Sequence, residues 1–205
     1  MVLIADNTLE LFANSRGLPV DFLESQGVHI CPEDGDRPGW VAIPYPNLTG
    51  LWHYRYRNPD PTAPHDQRYW AKPGSVTHLY NPSRLGPGAD LVVLTEGEMD
   101  CLVLTYLGYP AIGISGAGTA NRFRGSWKLL FDETPIIVAF DAGPAGIAAA
   151  GVIVGEFSPH AVALEMPSSE DGFDVNDWFL ENRAGLTQAL DFLALAGAGW
   201  DRSTR

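Results

Sequence analysis

The chain has 205 residues, of which 45% are hydrophobic and 19% are charged. This composition excludes an intrinsically disordered chain, because disorder requires low hydrophobicity and a high density of charge. Its 13 Lys and Arg residues stand against 25 Asp and Glu residues, which gives a formal net charge of −12. A global positive field that attracts nucleic acid is therefore also excluded, and any polyanionic partner must be held by a local patch.

The cysteine content and the length of the apolar runs indicate in which cellular compartment the protein lies. The only cysteines of the sequence, Cys31 and Cys101, are too few for a disulfide framework or a Cys-rich structural zinc site. No apolar run reaches the ~18 residues that a membrane-spanning helix needs. The N-terminus lacks the basic region of a secretory signal. We therefore expect a cytoplasmic protein without a membrane partner.

The first part of the chain predicts helices followed by short strands. Residues 6–28 are typical of two short helices joined by the segment RGLP. Residues 52–84 form a locally basic window that also carries aromatic residues, Pro and Asn, which is typical of short strands and loops. The basic residues of this window are Arg55, Arg57, Arg68, Lys72 and Arg84.

The segment LWHYRYR at residues 51–57 alternates aromatic and basic side chains. In a strand this alternation places the aromatic residues on one face, and Arg55 and Arg57 on the other. The aromatic face predicts contact with a core. The basic face is either a solvated surface or a contact for nucleic acid, and the sequence leaves both interpretations open.

From residue 89 onwards, strand and helix patterns alternate. The predicted buried strands are residues 91–94, 111–114, 136–140 and 161–164. Helical patterns lie between them at residues 98–107, 120–130 and 144–157, and residues 175–195 predict one or two further helices. Such alternation is typical of a parallel sheet that is covered by helices on both faces. The sequence therefore predicts an α/β fold.

Acidic residues follow most of the predicted strands. Ligands of an open parallel sheet bind beyond the carboxyl ends of its strands. We expect Glu96, Asp100 and Asp141 to lie near one another at that edge, together with Asp174 and Asp177. Clustered carboxylates repel one another unless a cation or a shared proton lies between them. Oxygen ligands suit hard ions, so the pattern favours Mg²⁺ or Mn²⁺ over zinc.

Each of these features has a structural alternative. Asp and Glu also favour the first turn of a helix, where they cap free N–H groups and interact with the helix dipole. Ser115 and Gly116 begin a loop, SGAG, whose backbone N–H groups either cradle a phosphate or simply form a tight turn. The joint placement of the acids at successive strand ends favours the functional interpretation of the acids.

The segment LVVLTEGEMDCL at residues 91–102 resembles the first motif of the Toprim fold, an apolar strand followed by Glu-Gly-x-x-Asp and a helix. The segment VAFDAGPAG at residues 138–146 is similar to the second Toprim motif, a strand followed by Asp-x-Asp and an Ala-Gly pair. Asp141 matches the first aspartate of that motif, whereas Gly143 stands where the second is expected. Residues 174–177, DVND, are similar to the acidic segment after the fourth strand in bacterial-type primases.

The N-terminal part extends the resemblance to the catalytic core of bacterial and phage-type DNA primases. Residues 16–28 and 40–44 resemble the small subdomain that precedes Toprim in those cores, and residues 69–81 resemble the stretch that leads into it. The resemblance implies an α+β primase-core-like subdomain at residues 1–88. It further implies a Toprim domain with a four-stranded parallel sheet flanked by helices at residues 89–182, and a C-terminal helix and tail at residues 183–205.

A primase core makes short RNA primers on single-stranded DNA from ribonucleoside triphosphates, with Mg²⁺ or Mn²⁺. The resemblance implies this activity for the chain, a nucleotidyltransferase reaction that serves DNA replication. The implied catalytic residues are Glu96, Asp100 and Asp141, and the implied ion ligands are Glu96, Asp141, Asp174 and Asp177. Residues expected to bind nucleic acid or nucleotide are Arg55, Arg57, Arg68, Lys72, Ser115 and Gly116.

Two other functions stay open at this point, because a Toprim motif identifies a fold and a metal more closely than a reaction. The same acids could position water in a metal-dependent nuclease. Alternatively, Gly143 marks a degenerate Toprim protein that only binds nucleic acid or a replication partner. Primases of this type usually carry a zinc-binding module and a helicase or helicase-binding region. Because neither is found in the sequence, we expect a zinc-binding module or a replicative helicase to act in trans.

Overall fold

The structure is a computed structural model that describes residues 7–45, 53–75, 78–85, 89–124, 127–131 and 134–198. The chain divides into two units, Met1–His78 and Leu79–Arg205, each with its own sheet. The domain boundaries that the sequence suggests at residues 88 and 182 stay a prediction. In the described part of the chain, no helix is both long and apolar enough to cross a membrane.

The first unit begins with two short helices, as predicted. They are α1 (Thr8–Ser15) and α2 (Val20–Ser25). Each helix is followed by a glycine in the left-handed conformation, Gly17 with φ +67° and Gly27 with φ +77°. Because glycine adopts this conformation without a steric penalty, these positions end the helices and redirect the chain.

The sheet of the first unit is antiparallel, with its strands in the order β1 (His29–Ile30), β2 (Val41–Tyr45), β3 (His53–Arg57) and β4 (Tyr69–Ala71). Every residue of β2 is buried. Tyr56 in β3 lies opposite Ala42 and Trp70, and these residues pack together. The expected contact of the aromatic face with a core is therefore present at Tyr56. The segment between β3 and β4 contains a short 3₁₀ helix, His65–Gln67.

The second unit contains a four-stranded sheet in which every neighbouring pair is parallel, in the order β6-β5-β7-β8. Its strands are β5 (Val92–Thr95), β6 (Ala111–Gly113), β7 (Ile136–Ala139) and β8 (Ala161–Ala163). Its helices are α3 (Glu98–Tyr106), α4 (Lys128–Phe131), α5 (Pro144–Phe157) and α6 (Val175–Ala198), with 3₁₀ helices at Pro82–Arg84 and Ala117–Arg124. The predicted α/β fold, with a parallel sheet flanked by helices, is confirmed.

Both faces of the parallel sheet are buried. Leu94 and Val138 pack in one cluster with Ile153 of α5. Val93 and Ile137 alternate with these residues, so they point to the opposite face, and they are 0% and 1% exposed. Because the strands are parallel, their carboxyl ends meet at one edge, where the loops that carry the predicted acids begin.

One helical segment differs from the sequence pattern, and the C-terminal one agrees with it. The helix predicted at residues 120–130 is a 3₁₀ helix, Ala117–Arg124, followed by the short helix α4. Gly118, Thr119 and Asn121 are weak helix formers, which accounts for the absence of a continuous α-helix at residues 117–124. The C-terminal pattern forms two helices that meet at Asn182, whose φ of −153° and ψ of 75° are not helical.

Candidate functional site

The carboxyl edge of the parallel sheet brings together four of the predicted acids. Glu96 directly follows β5, Asp141 follows β7 by one residue, and Asp174 and Asp177 lie at the start of α6. Burial, and then the charges of Glu96, Asp174 and Asp177, raise the pKa of Asp141 from 3.8 to about 8. Burial and the neighbouring charges together thus disfavour full ionisation of the group.

Glu96 is held by the loop that follows β6. Its Oε2 accepts a hydrogen bond from the backbone N–H of Ala117, at 3.0 Å. Its Oε1 is buried and has no hydrogen-bond partner among the described residues. Burial raises the pKa of Glu96, although the backbone N–H groups of Ala117 and Asp141 act in the opposite direction.

The glycine-containing loop after β6 directs its backbone toward Glu96. The N–H of Gly116, which has φ +91°, donates to the backbone oxygen of Glu96 at 2.9 Å. The backbone N–H groups of two successive residues, Gly116 and Ala117, therefore both donate hydrogen bonds to Glu96. A phosphate contact by Ser115 and Gly116 stays a prediction.

Helix α5 approaches the site through a glycine in its first turn. A Cβ added to Gly146 would lie 2.1 Å from the backbone oxygen of Asp141 and 2.7 Å from Oε1 of Glu96. Neither distance is compatible with a real side chain. Glycine at this position therefore allows the Glu96 carboxylate to lie against the start of α5.

Asp100 has a different position from the other predicted acids. It lies in the first turn of α3, is 5% exposed, and accepts a hydrogen bond from the backbone N–H of Asn176 at 3.1 Å. Asn176 is itself fully buried in the first turn of α6. The carboxylate of Asp100 thus fixes the segment that carries Asp174 and Asp177.

Asp174 and Asp177 form a reciprocal cap at the start of α6. The N–H of Asp177 donates to Oδ1 of Asp174 at 2.7 Å, and the N–H of Asp174 donates to Oδ2 of Asp177 at 3.3 Å. This arrangement is the capping role considered for these acids from the sequence. Because both charges also raise the pKa of Asp141, the pair combines a structural role with a position at the site.

Gly143, where the Toprim resemblance expects a second aspartate, has φ +107°. Two backbone hydrogen bonds join its neighbour Ala142 to the loop before α6: Ala142 N–H to Phe173 O at 2.8 Å, and Gly172 N–H to Ala142 O at 3.0 Å. This pairing brings Asp171 against the glycine. A Cβ at residue 143 would lie 1.9 Å from Asp171 Oδ1, so a side chain there would require the Asp171 carboxylate to move.

The acids fit a hard divalent cation in their chemistry. All are carboxylates, which Mg²⁺ and Mn²⁺ prefer, and Oε1 of Glu96 is a buried oxygen without a hydrogen-bond partner among the described residues. Nevertheless, no group of three or more His, Cys, Asp or Glu side chains in the described ranges is arranged to hold a metal ion. Binding of an ion therefore requires these side chains to move toward one another.

A cleft of about 890 Å³ opens beside Asp141. One wall is formed by α5, including Gly146, Ile147 and Gly151, and the other by residues 163–169, which end at Ser168 and Ser169. The volume lies within the usual range for small-molecule sites. The acidic edge thus adjoins a mainly apolar space with polar groups at its margin.

In the first unit, Arg55 and Arg57 both lie over the ring of Tyr69 in β4. Their guanidinium carbons are 4.3 and 4.7 Å from the ring centroid, and Arg57 also donates to the Tyr69 hydroxyl. Cation–π contacts of this kind hold arginine side chains in place while leaving them partly exposed. The predicted basic face of β3 is therefore an ordered pair of arginines.

Arg68 and Lys72, the other predicted DNA contacts, are engaged separately. Arg68 donates from Nε to the backbone oxygen of Ala63 at 3.0 Å. Lys72 forms an exposed ion pair with Asp36, with 3.2 Å between Nζ and Oδ1. The structure brings Arg55 and Arg57 together around Tyr69, but it gives Arg68 and Lys72 these other partners.

Arg37 is a cation that the sequence analysis missed. Its guanidinium lies over two tryptophan rings, 5.2 Å from the centroid of Trp40 and 4.6 Å from that of Trp70. Asp34 and Asp36 lie within the three residues before Arg37, so the local charge of the sequence hides it. The nearby Trp40 is the signal that the sequence offers.

No protein-family model matches the sequence. The Gene 57 protein of Mycobacterium phage D29 is 29% identical over 139 residues, which cover 65% of this chain and 87% of that protein.

Two solved structures are similar in fold to most of the chain. The primase fragment of the bacteriophage T7 primase-helicase protein has a TM-score of 0.67 and 21% identity, and the match covers 87% of this chain and 71% of that one. The RNA polymerase domain of Mycobacterium tuberculosis primase DnaG has a TM-score of 0.66 and 15% identity, with 93% of this chain and 77% of that one covered. The resemblance to Toprim-containing primase fragments is thereby confirmed for the fold.

Proposed function

We propose that this chain is the catalytic core of a DNA primase, which joins ribonucleotides into short RNA primers on single-stranded DNA with Mg²⁺ or Mn²⁺. One observation carries the proposal. Glu96 and Asp141 lie at the carboxyl edge of a parallel sheet, in a fold that phage and bacterial primase fragments share. Ligands of such sheets bind at this edge.

The proposed chemistry is phosphoryl transfer to the 3′-hydroxyl of the growing primer. Glu96 accepts the hydroxyl proton, a role that suits a partly buried carboxylate whose Oε1 has no hydrogen-bond partner among the described residues. Asp141, supported by Glu96, Asp174 and Asp177, holds the divalent ions. When bound, these ions supply positive charge that stabilises the transferring phosphate. Asp100 acts as a supporting residue by fixing the start of α6.

The nucleotides and the template are assigned to separate groups. The cleft beside Asp141 offers room for a nucleotide, and Ser115 and Gly116 lie in a loop that binds Glu96 at the same edge. In the first unit, Arg55 and Arg57 bind the template backbone, with Arg68 and Lys72 in weaker roles. A zinc-binding module or a replicative helicase is expected as a partner in trans.

A binding module without catalysis is the second candidate. It is favoured by Gly143 in place of an acid, and by the lack of a preformed metal-holding group among the described residues. Such a protein would bind single-stranded DNA through the arginines of β3 but would not need the acids. The primase requires a divalent ion and Glu96 for primer synthesis, whereas DNA binding by the binding module requires neither.

The test incubates the full chain with single-stranded DNA and labelled ribonucleoside triphosphates, without primer, in Mg²⁺ or Mn²⁺. Short RNA products that require the divalent ion support the primase. DNA binding with no products, when a zinc-binding module and helicase of a related primase are also supplied, supports the binding module. Degradation of the DNA without incorporation would instead identify a nuclease.

A further inference from the structure

We propose that the cleft beside α5 is a docking site for an amphipathic helix of a partner protein, one with an apolar face and with Lys or Arg residues beside that face. The inference goes beyond the proposed function, because docking of a helix does not require catalysis by the acids. It concerns the part of the cleft that lies along α5, away from Asp141.

Helix α5 has an apolar sequence on all sides, although one of its sides is open. Glu156 is the one charged residue in its sequence, PAGIAAAGVIVGEF. Ala149 and Ile153, on one side of the helix, pack in the core with the parallel sheet. Ile147, on a second side, is 69% exposed. Because a helix that is apolar all round is normally buried all round, the composition of α5 indicates a second packing partner.

The open side of α5 carries apolar residues at helical spacing. Ile147, Gly151 and Val154 are four and three residues apart, so they lie on one side of the helix, and all three line the cleft. Nothing lies within 4 Å of the Cβ position of Gly151. The glycine thus leaves a depression between two larger side chains, and a side chain of a packing helix fits into a depression of this kind.

The other wall of the cleft is also mainly apolar. It consists of residues 163–169 and includes Leu164, Met166 and Pro167. Methionine has a flexible side chain that adapts to an apolar partner. The volume of about 890 Å³ between the walls leaves room for several side chains of a partner. An apolar surface with polar residues at its rim is typical of a site of protein interaction.

The charge at the margin of the cleft favours a basic partner. Among the described residues that line the cleft, none is Lys, Arg or His. Glu165 lines the cleft and is exposed. The exposed Asp171 carboxylate lies at the margin, because its Oδ1 is 1.9 Å from the Cβ position of Gly143, a lining residue. Lys or Arg residues beside the apolar face of the docked helix complement these two acids.

The docking site and the acidic edge lie at different ends of the cleft. Asp141 precedes α5, whereas Val154 lies ten residues after Pro144. At a rise of ~1.5 Å per residue, Val154 is about 15 Å along the helix. A nucleotide at Asp141 and a helix beside Gly151 and Val154 can therefore bind at the same time.

The test measures binding of fluorescein-labelled synthetic peptides to the full chain by fluorescence anisotropy. The probe is an amphipathic peptide of ~18 residues, about five helical turns, with Leu on one face and Lys beside that face. One control peptide has Glu in place of each Lys, and the other has a central Pro that breaks the helix. We expect both control peptides to bind the wild type at least about tenfold more weakly than the probe.

Gly151→Leu and Gly155→Leu form a matched pair of variants. Both glycines lie in α5, are exposed and have nothing within 4 Å of the Cβ position, but of the two only Gly151 lines the cleft. Leu is a better helix former than Gly, so both variants should fold. Gly151→Leu fills the cleft and should weaken probe binding by at least about tenfold, whereas Gly155→Leu should stay within about twofold. Glu165→Gln should weaken it by about two- to threefold, as expected for an exposed charge at a rim.

Equal binding of the probe to the wild type and to Gly151→Leu would overturn the inference, and so would a wild type that does not bind the probe. Sedimentation velocity tests a second occupant. A wild-type dimer that is lost in Gly151→Leu but kept in Gly155→Leu would assign the cleft to a second copy of this chain and would also overturn the inference. Primer synthesis is measured separately: its absence leaves the inference intact if the probe binds, and failure of the probe to bind leaves the proposed function intact.

Discussion

Gly146 lies directly against the carboxylate of Glu96: a Cβ at this glycine would stand 2.7 Å from Glu96 Oε1. The same Cβ would stand 2.1 Å from the backbone oxygen of Asp141. The first turn of α5 thus touches both strand ends that carry the proposed catalytic acids. This close contact is possible because Gly146 has no side chain.

We therefore expect Gly146→Ala to destabilise the protein by about 2–3 kcal/mol, the cost typical of overpacking a close contact. Divalent-ion binding should weaken as well, because Glu96 must move. Urea unfolding and Mn²⁺ titration measure the two effects. Gly155→Ala in the same helix is the matched control, since nothing lies within 4 Å of its Cβ position. It should be neutral or stabilising, and an equal loss in both variants would contradict the assigned contact.

The Gly143 and Asp171 contact predicts a strong energetic coupling. Gly143→Ala should destabilise the protein by about 2–3 kcal/mol. The new Cβ would meet Asp171 Oδ1, and the alanine would have to adopt a φ of +107°. In an Asp171→Ala background the contact with the carboxylate is absent, so the cost of Gly143→Ala should fall toward the backbone strain of about 1–2 kcal/mol, with only the 3.3 Å contact with the Cα of residue 171 remaining. Urea unfolding of the four proteins in this double-mutant cycle gives the coupling. A cost of Gly143→Ala that is the same in both backgrounds would show that Asp171 does not fill this space.

The raised pKa of Asp141 predicts how stability depends on pH without divalent ions. Folding raises this pKa from 3.8 to about 8, so the folded state disfavours the charged form. The contribution to stability is complete below about pH 4 and is lost as the pH rises toward 8. The raised pKa of Glu96 acts in the same direction.

Asp141→Asn mimics the protonated form and supplies the comparison. Its free energy of unfolding should exceed that of the wild type by an amount that grows between pH 5 and pH 8, as measured in urea with EDTA present. A difference that is constant over this range would contradict the raised pKa of Asp141.

Ion binding should release a proton from the same group. At pH 7 a carboxyl with a pKa of about 8 is mostly protonated, and a metal ligand must be ionised. Calorimetric titration of Mn²⁺ in buffers of different ionisation enthalpy should show release of about one proton at pH 7 and much less at pH 9. Equal proton release at the two pH values would show that Asp141 is already ionised in the free protein.

The arginine pair on Tyr69 predicts a salt-dependent contribution to DNA binding. Replacing Arg55 and Arg57 by Gln should weaken binding of single-stranded DNA and reduce the slope of log affinity against log salt by about 0.7 for each residue. Fluorescence anisotropy of a labelled oligonucleotide measures both quantities. Lys128→Gln, which removes an exposed lysine paired with Glu156, is the control and should leave the slope unchanged. If the wild type, the variant with Gln at residues 55 and 57, and Lys128→Gln all show the same salt dependence, this pair of arginines does not contact the DNA backbone.

Most of the second unit could be predicted from the sequence because its elements follow local rules. Helix α5 was expected from Pro144 at its first position and an apolar pattern up to Phe157, and the structure places it there. Residues 117–124 could not be predicted in this way. Gly118, Thr119 and Asn121 are weak helix formers, but the sequence pattern does not distinguish a 3₁₀ helix from an α-helix at these residues.

The candidate site was predictable to the extent that parallel strands bring their carboxyl ends together. That rule explains the proximity of Glu96 and Asp141. Asp171 was not predictable, because its position depends on backbone pairing between Ala142 and a loop about thirty residues later in the chain. Arg37 was not predictable either, because nearby acids mask its charge in the sequence and its contact with Trp70 joins segments far apart in the chain.

The rate of the first ribonucleotide coupling tests the central claim most directly. It is measured on single-stranded DNA with saturating Mg²⁺ or Mn²⁺, for the wild type, Glu96→Gln, Asp141→Asn and the exposed control Glu181→Gln. The account predicts losses of at least about a hundredfold in the first two variants, as expected when charge stabilisation or general-base catalysis is removed. The control should keep its rate, and all variants should keep their affinity for DNA. Coupling that proceeds at the wild-type rate in Glu96→Gln and Asp141→Asn would contradict the assignment of this edge as the active site.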